Sequence, residues 1–386
     1  MFGFIPKNIV QLVRRRVVIE THSCFFQNPC LKSISTTPKG KETSKASDFT
    51  VSYLENSCGL SSDSALRVSK WFHLKTTDKP DSILLFLKKH GFTATQIANM
   101  ISSRPGLLYF NPDRTLKPKM DFLRDVGFSI PDLIFLLSKN PCILTSSLGN
   151  QIVPAYGFLK SILGTDEVII STAKRAPWLL HTDLHKRMGS KIEFLQDHGV
   201  PDSIISAVIK HQPRCFLNVH LDRFTEALVK LEAMDFRPST SSFYMAFGTL
   251  LSLNKSLWEE KFELYRSFGL SEDDILSAFK KRPQIMELSK DKMRRMMDFF
   301  LKEPGLGLPV VVNCPHLLVH SLEKMIIPRW SVIRVLTSHG ILNKDVNLHT
   351  ICKLKEEKFL ERYVIKYQEK VPQVLQAYQG KIVFGD

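Results

Sequence analysis

His181 and His185 stand four residues apart with Asp183 between them, the spacing at which a helix offers two imidazoles to one metal ion. No third ligand lies nearby in sequence, and the pair borders the apolar stretch Trp178-Leu179-Leu180, so no metal is expected. Gly305-Leu306-Gly307-Leu308-Pro309 has glycines but lacks the strand–turn–helix setting of a phosphate loop. The carboxylate pairs Asp273-Asp274 and Glu356-Glu357 fall at helix starts or on polar faces and read as solvated caps. No Ser–His–Asp set, H-E-x-x-H or deaminase pattern is present, so no catalytic residues are expected. Trp71, Trp178, Trp258 and Trp330 have the ring faces to stack on bases, but read first as core. What recurs is positive charge just before proline: Arg104; Lys139; Lys174 and Arg175; Lys210 and His211; Lys280, Lys281 and Arg282. A second set opens the helices that follow: Arg114 and Lys117, Lys186 and Arg187, Arg223, Lys292 and Arg295. Cations repeated in phase match the phosphate rail of a nucleic acid. The plainer reading is that they offset helix dipoles, worth roughly 0.3–1 kcal/mol each.

The elements that must position these cations show in a column. Leu87, Leu123, Leu159, Leu195 and Leu231 stand 36 residues apart, and the column continues as Tyr265, Leu301 and Leu336. A fixed period in the range of roughly 20 to 50 residues marks a repeat architecture. Each unit ends a helix at a glycine: Gly91, Gly127, Gly199, Gly269, Gly305 and Gly340, with Gly164 one residue late and Asp235 in the fifth unit. A second helix follows, opened by a cap such as Ser129 with Asp132 or Thr93 with Gln96. Pro105, Pro141, Pro177, Pro213, Pro283 and Pro315 close it, because proline disfavours helical geometry in the residue before it. The fifth unit has Thr249 in that place, and the seventh is short. Behind the prolines sit apolar plugs: Leu107-Leu108, Ile143-Leu144, Leu179-Leu180, Phe216-Leu217, Ile285-Met286 and Leu317-Leu318. Short helices of this kind bury their apolar faces only by stacking, which predicts an all-α solenoid of about seven or eight units.

The chain has 386 residues and a net charge of +15, from 53 basic and 38 acidic residues. That excess favours a polyanionic partner. Seven scattered cysteines with no C-x-x-C read as reduced thiols. No apolar run reaches the roughly 18 residues needed to span a bilayer. Residues 1–47 differ from the rest, with eight basic and two acidic residues, the cluster Arg14-Arg15-Arg16 and the hydroxyl-rich Ser33-Ile34-Ser35-Thr36-Thr37. This is the composition of an organellar presequence. Beyond it 45 basic and 36 acidic residues leave a net charge of +9. The expected organisation is a presequence over 1–47, a helical cap over 48–85, repeats over 86–340, and a closing cap and tail over 341–386.

The Phe-Leu-x-x-x-Gly stop, the second helix and the Pro-x-apolar-apolar plug together resemble the mitochondrial transcription termination factor (mTERF) family. Further segments resemble its plant branch: Phe49-Thr50-Val51-Ser52-Tyr53-Leu54, Ser57-Cys58-Gly59-Leu60, Lys79-Pro80-Asp81-Ser82 and Gln151-Ile152-Val153-Pro154. The closing Phe359, Val364, Tyr367, Val371-Pro372 and Tyr378-Gln379-Gly380 fit as well. The resemblance implies a right-handed superhelix of short helices with a basic inner groove that holds nucleic acid. It implies work in organellar transcription termination, transcript maturation, intron splicing or ribosome biogenesis, with no catalytic residues and no obligatory cofactor. The expected protein is a monomer that holds double-stranded DNA or structured organellar RNA, engages no membrane, and resides in the mitochondrion, with the chloroplast as the alternative. A protein-interaction scaffold is the rival from another class.

Overall fold

Proline decides where the second helix of nearly every unit ends. A computed structural model describes residues 43–343 and 346–380, and among them the regular structure is helical, with no strand. The second unit shows the plan. Its leading helix, Pro112–Leu116 continuing as Lys117–Asp125, stops at Gly127, whose φ of 103° only glycine adopts freely. The Ser129 hydroxyl then accepts from the Asp132 amide at 3.3 Å and starts the helix Ile130–Lys139. Asn140 leaves helical geometry ahead of Pro141, and the short turn Cys142–Thr145 buries Ile143 and Leu144. Two capping boxes are closed in both directions, Thr93 with Gln96 at 2.9 and 3.2 Å and Ser271 with Asp274 at 3.1 Å each way.

Stacking follows from this plan. The second helices Ala94–Ser103, Ile130–Lys139, Asp166–Arg175, Asp202–His211, Ser241–Ser252, Glu272–Lys281 and Leu308–Asn313 each pack on the next. The plugs form a parallel row, Pro105–Tyr109 against Cys142–Thr145 against Pro177–His181, and later Pro283–Glu287 against Pro315–Val319. Leu87, Leu123, Leu159, Leu195, Leu231, Tyr265 and Leu336 are all buried in one continuous core. Each such side chain contributes about 1.5–3 kcal/mol by leaving water. Ser62–Ser69 rests on the first second helix, and Gln373–Tyr378 packs against Ile327–Ser338 at the far end. The presequence read over 1–47 lies outside the described residues except for its last five, which open the helix Thr43–Asn56. No helix among the described residues is long and apolar enough to cross a membrane.

The structure corrects the repeat in two places. Leu301 is 43% exposed, and Phe300 is the buried member of the column. Met293, Met296, Met297 and Phe300 form the buried seam of Lys290–Lys302, and Leu301 lies a third of a turn off it. In the fourth plug Cys215 and Phe216 are the buried pair and Leu217 is only half-buried. The buried pair thus falls two and three residues after the proline in every proline-marked unit, and Cys215 serves there as a small apolar side chain.

Both weak units have a physical explanation. With Thr249 in place of proline, the second helix of the fifth unit runs on through its plug as the single helix Ser241–Ser252. The shortened second helix of the seventh unit, Leu308–Asn313, leaves a cavity of about 710 Å³ bordered by Pro309, Asn313, Trp330 and Arg334. Asp235 performs the glycine turn itself, with a φ of 54°, the one left-handed non-glycine among the described residues. Asp235→Gly should therefore stabilise the protein by about 1 kcal/mol, read as a higher urea midpoint, whereas Asp235→Val should lower it.

Candidate nucleic-acid interface

A helix broken by proline, and the short plug behind it, leave their last carbonyls without internal donors. In this chain lysine and arginine supply them. Lys119 donates to the Leu144 carbonyl, Lys191 to Phe216, and Lys261 to Met286 at 2.6 Å, each reaching 25 residues forward to the third residue after its unit's proline. All three sit four residues before the core column, on the buried face. Arg223 and Lys292, eight before the column, reach 27 residues forward to Leu250 at 3.0 Å and Val319 at 2.9 Å. Arg329 donates to Ile351 and Leu354 and pairs with Glu356 at 2.7 Å. Lys119, Lys261 and Arg329 are buried, and burial lowers the pKa of Lys119, Lys191, Lys261 and Lys292. The sequence reading missed Lys119, Lys191, Lys261 and Arg329, and it placed Arg223 and Lys292 in the second phosphate-facing set. The structure occupies that latter pair with plug carbonyls.

The cations before the prolines lie together, because the second helices that carry them are stacked in one row. Two staple consecutive units: Arg175 donates to the Lys210 carbonyl at 2.7 Å, and Lys281 to the Val312 carbonyl at 3.0 Å. Both occupy the second position before proline, and both targets occupy the third in the next unit. Lys174 pairs with Asp132 of the preceding unit, and Lys280 with Asp235 at 3.9 Å. Arg104 donates to Cys142 Sγ at 3.0 Å. Lys139 is exposed, Lys210 and Arg282 half-buried; Lys139 and Lys210 have no side-chain hydrogen bond or ion pair recorded among the described residues. Of the second set, Arg114, Lys186 and Arg187 are exposed, Lys117 pairs with Asp121, and Arg295 pairs with Glu323.

Histidines on this face register the charge around them. Burial first, then Arg175 and Lys210, hold the His211 imidazole below its ordinary pKa, and its ring stacks on Tyr244 with centroids 5.5 Å apart. Burial lowers His181 as well; Arg104 adds to that, against a backbone hydrogen bond that raises it. His181 ends the plug Pro177–His181 beside Asn140, at 2.9 Å, while His185 lies exposed in the next helix, so the two do not converge on an ion. Asp183, between them, caps that helix by accepting from the Lys186 amide. No cluster of three metal-ligating side chains exists among the described residues. Trp330 is buried, Trp178 and Trp258 are half-buried, and Trp71 is 60% exposed, so the core reading fails for Trp71. The five described cysteines are free, and burial pushes Cys58 and Cys215 up to about 12 and Cys352 to about 11, which keeps those three thiols protonated.

A family model described as mTERF matches residues 84–239 and 240–360. The chain is 26% identical over 102 residues to the mitochondrial transcription termination factor MTERF15 of Arabidopsis thaliana, covering 26% of this chain and 23% of that protein. It is 22% identical over 173 residues to the chloroplastic transcription termination factor MTERF8 of the same plant, covering 45% of this chain and 33% of that protein. The matched stretches thus span no more than a third of these curated relatives.

The lysines that reach carbonyls and the exposed lysines should separate in a stability experiment. Lys261→Met strands the Met286 carbonyl and should cost about 1–3 kcal/mol in chemical denaturation. Lys139→Met should stay within about 0.5 kcal/mol of the parent. Equal effects would contradict the distinction.

Proposed function

The chain belongs to the mTERF family, and we propose that it regulates organellar gene expression by holding nucleic acid against the row of second-helix ends. Its family is one of nucleic-acid-binding regulators, not of enzymes. The observation that carries the reading is the row of Lys174, Lys210 and Lys280, each third before its proline on stacked helices, with Lys139, Arg175 and Lys281 second before theirs and Arg282 beside them. Cations so arranged meet successive phosphates, which fix position and strength but carry little sequence information. The pairs Lys174–Asp132 and Lys280–Asp235 are partly exposed, so a phosphate can take the carboxylate's place at small cost. Arg114 and Arg187 extend the surface, whereas Arg223 and Lys292 act by holding plugs.

The action is steric and architectural: a bound duplex blocks a polymerase, or a bound transcript is kept in a productive shape. Double-stranded DNA and structured RNA both present a rail of phosphates. One matched relative bears a mitochondrial name and the other a chloroplastic one. The early arginine cluster Arg14-Arg15-Arg16 favours the mitochondrion, with the chloroplast as the alternative.

Affinity for a labelled duplex should fall linearly in log–log form as salt rises. The triple variant Lys139→Glu, Lys174→Glu, Lys280→Glu should bind more weakly and flatten the slope by about 2 to 3, one contact per lysine. A folded triple variant with the parent's slope would remove this row from the interface.

A further inference from the structure

Three histidines meet where the sixth, seventh and eighth units touch. His316 lies in the plug Pro315–Val319, His320 follows it, and His349 lies in the helix Leu348–Lys353. His316 Nε2 and His349 Nδ1 are within hydrogen-bonding distance, with ring centroids 4.1 Å apart and planes at 76°. The His320 ring stands 6.3 Å from that of His316. A bond between two imidazole nitrogens needs one of them unprotonated, since a doubly protonated pair offers only donors. All three histidines are half-buried.

The charged groups that act on these rings come from four elements, and all are cations. Arg282, in the residue before Pro283, acts on His316 and His320. Lys353 acts on His316 and His349, and Lys292 and Arg329 act on His320. Lys292 and Arg329 are already engaged with backbone carbonyls. The Nε of Arg282 is buried without a hydrogen-bond partner, as is that of Arg329. Like charges gathered around neutral imidazoles, with an unsatisfied guanidinium donor, are costly until an anion enters.

We propose that Arg282, His316, His320, His349 and Lys353 form a phosphate-binding pocket that anchors the nucleic-acid backbone at the carboxyl-terminal end of the row and takes up protons on binding. The anchoring role rests on the nucleic-acid reading above; the pocket itself rests on the cluster. Burial first, then the neighbouring His349, His320, Lys353 and Arg282, hold His316 down at about 4, and burial also lowers His320 and His349. The free protein therefore keeps these rings neutral at pH 7. A phosphate among them reverses the local field and raises their pKa values, so binding captures protons and strengthens as the pH falls below the ordinary histidine range toward the free His316 value. In the unliganded protein the sign is opposite. Between the folded value of about 4 for His316 and the ordinary 6.5, the unfolded chain binds more protons, and stability falls as pH drops through that window.

The test uses the full chain and two probes. The first is inorganic phosphate, added while the imidazole C–H resonances are titrated by proton NMR. Phosphate should raise the His316 and His349 midpoints by about one unit, equivalent to tenfold tighter binding of the protonated form. The second is a labelled DNA duplex and its RNA counterpart, with affinity measured at pH 5.8 and 7.8 at constant ionic strength. The parent should bind about two- to fourfold more tightly at the lower pH, and the variant His316→Gln with His349→Asn should lose that gain. Histidine titrations indifferent to phosphate would overturn the pocket, as would an undiminished pH gain in the folded variant. Midpoints raised by phosphate without binding of either nucleic acid would uphold the pocket and refute the nucleic-acid reading instead.

Discussion

The need to satisfy backbone carbonyls at proline-broken helices shapes most of this molecule. Each break lets the chain turn from second helix to plug and so repeat every 36 residues or close to it. Each also leaves the carbonyls of the helix end, and of the short plug behind it, without internal donors. Lys119, Lys191 and Lys261 answer this from inside the same unit, reaching forward by the same number of residues to the same plug position. Arg175 and Lys281 answer it between units. The solenoid is held by a leucine column and by cations that tie one broken helix to the next.

That constraint also explains why the chain is basic without implying that every cation faces a ligand. A lysine that desolvates its ammonium to reach a carbonyl is committed to the fold, and Lys261, 4% exposed with its ammonium on the Met286 carbonyl, is not placed to meet a ligand. Lys139, Lys174 and Lys280 are exposed in the last turn of their helices, and they are the cations we propose a partner meets. Beside them, the charge of Arg175 and Lys210 is felt by His211, and that of Arg104 by His181. Structure and interface thus draw on the same residue types from different phases of one repeat.

Much of this was legible in the sequence. The glycine stops, the caps at Thr93, Ser129 and Ser271, and the proline breaks act over three or four residues, so their chemistry is local and readable. The slips came where adjacent residues are both apolar. Phe300 and Leu301 fit the column equally well by type, as do Cys215 and Leu217 beside Phe216, and only the buried seam decides between them. The lysine latches left a trace, a charged residue four before the column in three units, but their carbonyl targets are backbone and carry no sequence signal. The pairing of His316 with His349, 33 residues apart, depends on how the shortened seventh unit meets the eighth. Spacing alone does not contain that.

The central claim is that the row of second-helix ends is the face that meets nucleic acid. Ultraviolet crosslinking of the full chain to bound DNA or RNA, followed by mass spectrometry of the crosslinked peptides, tests it most directly. The account predicts crosslinks in peptides carrying Lys139, Lys174 with Arg175, Lys210 with His211, and Lys280 to Arg282. Crosslinks confined to the outer surface of the leading helices, around Glu259, Glu263 and Arg266, with the helix-end peptides unmodified, would contradict it.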